Sequence, residues 1–111
     1  MTSDPWAAGW PLPKMSASPL ALREEFNAAG YYGPDGIQPD IHSTVFREGT
    51  PANAQGQPSG TIYQFVFYEL DGAPIAIVHQ YVRPDGALGG SGRPDPKRVI
   101  VRGDGTLTIQ T

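Results

Sequence analysis

Two runs rich in β-branched and aromatic residues, Thr61–Leu70 and Ala73–Val82, flank the pair Asp71-Gly72. Asp-Gly is a preferred two-residue hairpin turn because both positions accept positive φ, and flanking runs of this composition suit a pleated, half-buried ladder. The segment predicts an antiparallel hairpin over 61–82. A tight turn pairs residues whose numbers sum to 143, so Gln64 faces His79, Phe65 faces Val78 and Val66 faces Ile77. One bulged residue shifts every pairing beyond it. Both faces of the hairpin are largely apolar, so both need cover.

A helix is the first source of cover. Over 18–30, Ser18 is placed to cap free amides, Pro19 suits the first helical position, and Gly30 can close the end in a left-handed conformation. Leu22, Phe26 and Ala29 form one apolar stripe. Gly33-Pro34-Asp35-Gly36 reads as a turn. Ile41–Arg47 reads as a strand, with Ile41, Ser43, Val45 and Arg47 on one face and His42, Thr44 and Phe46 on the other. A polar loop follows over 48–60, a turn at Arg83-Pro84-Asp85-Gly86 and a flexible loop over 87–96. A second hairpin is expected from Arg98–Arg102 and Thr106–Gln110, with Val99, Val101, Leu107 and Ile109 inward and Arg98, Arg102, Thr106 and Gln110 outward.

The expected architecture is α+β: one N-terminal amphipathic helix packed on an antiparallel sheet of about five strands in two hairpins. Residues 1–17, with Trp6, Trp10 and three prolines, read as an extended arm, and 18–111 as a single domain. A length of 111 residues suits one core. Gly and Pro, 14 and 12 in number, come close to the range where disorder is the default. Concentrated apolar runs such as 62–70 and 75–82 nevertheless support a collapsed core. No apolar stretch of about 18 residues is present, which excludes a transmembrane helix. Asp4, Pro5, Pro11 and Pro13 do not fit a secretory signal, so a cytoplasmic location is expected. With no cysteine, disulfides and thiolate chemistry are excluded.

Charge is unevenly spread. Residues 1–82 carry a net −5, whereas 83–102 carry Arg83, Arg93, Lys97, Arg98 and Arg102 against Asp85 and Asp95, a net +3, within a total of −3. Such a strip either binds an anionic partner or pairs internally, with Glu24, Glu25, Glu48 and Glu69 as the available carboxylates. The overall charge opposes nucleic acid at long range and favours internal pairing or a protein partner. Gly89-Gly90-Ser91-Gly92 matches no nucleotide-loop pattern, and Lys97 precedes a strand, whereas a phosphate loop opens a helix. The two histidines, His42 and His79, have no metal-ligand spacing; no metal and no cofactor are expected.

Metal-free RNA cleavage needs a base, an acid and cations on one sheet face. His79, Arg83, Arg98 and Arg102, with Tyr81 and Glu69 nearby, are candidates. The His79-Gln80-Tyr81-Val82 and Lys97-Arg98-Val99-Ile100 segments resemble the sheet of the microbial guanyl-specific ribonucleases. That resemblance implies a catalytic glutamate where Gln80 stands, and a second histidine where the sequence has none; Gln cannot act as the base. The expected function is therefore a small non-enzymatic interaction protein (an inhibitor, immunity-type or antagonist module), with Trp6, Trp10, Arg93, Lys97, Arg98 and Arg102 as partner-binding residues. The alternatives are a ribonuclease-like or nucleic-acid-binding domain using the strip 83–102, and a subunit of a larger assembly in which edge strand Thr106–Gln110 pairs with a neighbour.

Overall fold

The computed structural model describes residues 14–50, 58–89, 92–100 and 107–110, with Lys14, Met15 and 107–110 described by their backbone. The chain is α+β, one helix packed on an antiparallel sheet, as its sequence pattern predicts. Its elements in order are β1 (Lys14–Ala17), α1 (Pro19–Ala29), β2 (Tyr32–Gly33), β3 (Gly36–Ile37), β4 (His42–Gly49), β5 (Ile62–Leu70), β6 (Ala73–Val82), β7 (Asp95–Ile100) and β8 (Leu107–Gln110). Strands β2 and β3 form a two-stranded ladder around Pro34-Asp35, and the other six form one sheet in the order β1-β8-β7-β6-β5-β4.

The helix ends where its signals stand. Ser18 is extended, and its hydroxyl accepts a hydrogen bond from the Ala21 amide at 3.2 Å. Gly30 has φ 72°, with its N–H donating to the Asn27 carbonyl. Leu22 and Phe26 are fully buried, each contributing about 1.5–3 kcal/mol. They pack with Tyr31, Ile41, Val66, Tyr68, Ala76, Val78 and Val99 into one core between the helix and one face of the sheet. Phe26 meets Tyr31 and Tyr68 with ring centroids 6.2 and 6.1 Å apart.

The central hairpin forms at Asp71-Gly72, both residues at positive φ (52° and 78°). Its register differs from the simple expectation. Leu70↔Ala73 and Glu69↔Pro74 follow the tight-turn pairing, but from Tyr68↔Ala76 to Ile62↔Val82 every pair is shifted by one. Ile75 is the extra residue. Pro74 has no N–H for the ladder, and a bulge beside it absorbs the defect. Gln64 therefore faces Gln80 and Phe65 faces His79, in place of the expected Gln64–His79 and Phe65–Val78 pairs.

Four further corrections follow from pairing. Strand β4 begins at His42, not Ile41, and its register shifts between Val45 and Arg47. Val45 pairs with Val66 on the helix side, while Arg47 pairs with Phe65 on the far side, so Val45 and Arg47 do not share a face. Residues Lys14–Ala17, expected within the arm, are indeed extended but form β1, paired in parallel with β8. The expected edge strand is thus flanked by β7 and β1, and the sheet ends at β1 and β4. Finally, Arg98↔Ile109 and Ile100↔Leu107 put the register positions of Leu107 and Ile109 on the side of Arg98 and Ile100, opposite Val99. The expected common inward face of Val99, Leu107 and Ile109 is not formed, because Val99 pairs with Thr108; the turn expected at 103–105, with Val101 and Thr106, lies outside the described residues.

Candidate functional site

The far face of the sheet, away from α1, carries the chemistry. The register of β5 and β6 sets Tyr63 opposite Tyr81 and Phe65 opposite His79. Their rings form a continuous lattice: Phe65–His79 at 4.9 Å, His79–Tyr81 at 5.0 Å, Tyr63–Phe65 at 6.0 Å and Tyr63–His79 at 6.1 Å, the last pair stacked at 18°. Phe46, at the β4 irregularity, extends it to 6.2 Å from Phe65. The Arg47 guanidinium lies 5.7 Å from the centroid of Phe65. Gly49 makes room for this packing, since a Cβ there would come within 3.0 Å of the Tyr63 ring. Tyr63, Phe65, His79 and Tyr81 are all half-buried, whereas Ile77, between Phe67 and Arg98, is fully buried.

A cleft of about 220 Å³ adjoins the lattice. The turn at 83–86 folds the chain back along β6: Arg83 N–H donates to the Ala87 carbonyl, Val82 bridges Leu88, and Gly89 N–H donates to the Tyr81 carbonyl at 2.9 Å. Strand β7 then starts with Asp95 opposite His79. Between these two attachments the cleft is lined by His79, Gln80, Tyr81, Gly89, Arg93, Pro94 and Asp95, and by Arg23 from α1.

The cleft charges are held in defined positions. Lys97 Nζ donates to Asp95 Oδ2 at 3.1 Å, and Arg23 Nη2 lies 3.9 Å from Asp95 Oδ1. Arg93 Nη2 donates to Asn27 Oδ1 at 3.0 Å and to the Tyr32 carbonyl at 2.7 Å, with its guanidinium 5.3 Å from the Tyr32 centroid. Arg93 thus pairs with neutral oxygens and an aromatic ring, not with a glutamate, and Lys97 uses Asp95 of its own strip. Burial lowers the His79 pKa below its ordinary value; Lys97 lowers it further, while Asp95 acts in the opposite direction.

Among the sequence-predicted residues, His79 and Arg98 share the far face, Arg98 standing opposite Ile77, one pleat from His79. Arg83 lies past the end of β6 and does not line the cleft. Arg93 lines the cleft, and Lys97 braces its carboxylate. Trp6, Trp10 and Arg102 lie outside the described residues. Gln80, the position that the ribonuclease resemblance assigns to glutamate, lies with Gln64 on the other side, as strand alternation requires of a neighbour of His79, and its amide donates to Gln64 Oε1 at 3.0 Å. Sequence reasoning passed over Arg23, Arg47, Tyr63 and Phe65 as site residues. The available signal was Pro74, whose bulge aligns Tyr63 and Phe65 with Tyr81 and His79. Among the described residues, no three His, Asp or Glu side chains group as metal ligands, and no helix is long and apolar enough to cross a membrane. No family model, curated protein or solved structure matches the chain.

Proposed function

We propose that this chain is a small non-enzymatic interaction module that binds another protein through the far face of its sheet. The supporting observation is the half-buried lattice of Tyr63, Phe65, His79 and Tyr81, with Arg47 against it. Tyr and Arg concentrate binding energy because they combine large rigid contact area with a polar tip. This surface is aromatic and cationic although the whole chain carries −3. The partner surface that complements it is therefore acidic and apolar, and the bulk negative charge works against nucleic acid at long range. A cytoplasmic location is part of the same proposal, and cell fractionation checks it.

The test is capture from nuclease-treated lysate by the immobilised chain, compared with a Tyr63→Ala/Arg47→Ala variant shown to be folded by circular dichroism. A stoichiometric protein retained by the native chain and lost from the variant is the expected result. Equal capture by both overturns the assignment of this face. In untreated lysate, capture of RNA alone, with cleavage or binding reduced by His79→Ala and Arg98→Ala, replaces it with the ribonuclease-like reading.

A further inference from the structure

His79 and Tyr81 belong to two features at once, the ring lattice and the cleft beside it. The cleft, at about 220 Å³, is smaller than the roughly 300–1,000 Å³ of sites for drug-sized ligands, and suits one residue of a larger ligand. Its polar groups are unevenly used. The side-chain hydrogen bonds of Arg93 to the described residues both come from Nη2, leaving Nη1 and Nε without a partner among them. Those two bonds and the Tyr32 ring fix the guanidinium before any ligand arrives, which lowers the ordering cost of binding. Arg23 is half-exposed and lies beyond hydrogen-bond reach of Asp95. Asp95 Oδ1 is buried 3.9 Å from Arg23 with no hydrogen-bond partner among the described residues, while Lys97 donates to Oδ2.

We propose that this cleft is a subsite for the C-terminal residue of a peptide with an aromatic or apolar side chain. The carboxylate is received by Arg93 and Arg23, and the residue's side chain lies against Tyr81 and His79. A carboxylate meets the donors that Arg93 leaves without a hydrogen bond, and an apolar side chain meets the half-buried rings. The peptide character of the ligand rests on the proposed protein partner; the anion-binding chemistry of the cleft does not.

The test is a two-dimensional NMR titration of the full chain with N-acetyl-L-phenylalanine and, separately, N-acetyl-L-phenylalaninamide. The acid is expected to shift the Arg93 Nε–Hε, Gly89 amide and His79 ring signals and to bind about tenfold more tightly than the amide, whose carboxylate charge is gone. Arg93→Gln weakens the acid by about tenfold; should that variant fail to fold, Arg23→Gln, on the exposed side of the helix, carries the test. No shifts, or equal binding of acid and amide, overturns the proposal. Tighter binding of uridine 5′-monophosphate than of the acid overturns it in favour of a nucleotide. Loss of protein capture in Tyr63→Ala/Arg47→Ala with these shifts intact supports both proposals. Capture unaffected by that variant with the shifts intact refutes the lattice alone, because neither residue lines the cleft.

Discussion

Phe65 and His79 stand directly opposite each other on β5 and β6, their ring centroids 4.9 Å apart and their planes at 63°. The contact depends on Ile75, the extra residue that Pro74 leads into the ladder. Without it His79 would face Gln64, on the side covered by the helix, because a one-residue slip reverses every side chain. The same shift sets Tyr63 opposite Tyr81 and Gln80 opposite Gln64. A single irregularity near the hairpin tip thus decides which residues make up the candidate site.

Gly49→Ala tests how the lattice is seated. The new Cβ would lie 3.0–3.2 Å from Tyr63 atoms, so the variant is expected to lose about 1–3 kcal/mol in chemical denaturation. Adding Tyr63→Ala removes the obstacle, and the two losses combine to less than their sum. Simple additivity would show that the ring does not occupy this place.

His79 is expected to titrate below the ordinary value of about 6.5 when followed by NMR. Lys97→Met raises its pKa, and Asp95→Asn lowers it further. Between the folded pKa and about 6.5 the unfolded chain binds more protons, so this histidine makes stability rise with pH across that window and contributes nothing further above it. Denaturation midpoints measured across the window, with and without His79→Ala, check the sign.

Tyr68 and Tyr31 should respond oppositely to loss of a hydroxyl. Tyr68 is fully buried with no partner for its hydroxyl among the described residues, and burial, with Tyr32 adding to it, pushes its pKa well up. Tyr68→Phe is therefore expected to leave stability unchanged or raise it by about 1 kcal/mol. Tyr31 donates to the Ile100 carbonyl at 3.0 Å, and Tyr31→Phe is expected to cost about 1 kcal/mol. Thermal melts of the two variants decide this.

Removing residues 1–17 takes away β1 and uncovers the outer edge of β8. An uncovered edge presents a row of unpaired N–H and C=O groups, so the shortened chain is expected to self-associate as concentration rises. Size-exclusion chromatography with light scattering checks this; a monomer unchanged over the range would show that β1 does not protect the edge.

Local chemistry made much of this fold legible. Ser18, Pro19 and Gly30 bound the helix, and Leu22 and Phe26 mark its buried stripe, because capping and amphipathicity act within a few residues. Asp71-Gly72 likewise specifies its own turn. The candidate site was legible only in parts: His79 and Arg93 carry obvious chemistry, but Tyr63 and Phe65 look like ordinary strand residues until the register is known.

The sequence by itself determined the helix, the hairpin turn, the β-rich runs and the cationic strip, since each rests on interactions between near neighbours. Only the tertiary structure decided that β1 closes the β8 edge, that the bulge at Ile75 assembles the ring lattice, and that Arg23 meets Arg93 around one cleft. Those outcomes depend on register and on pairing between distant segments, where one residue of slip reverses a face. No local propensity encodes that choice; it is made by burying the whole core at once.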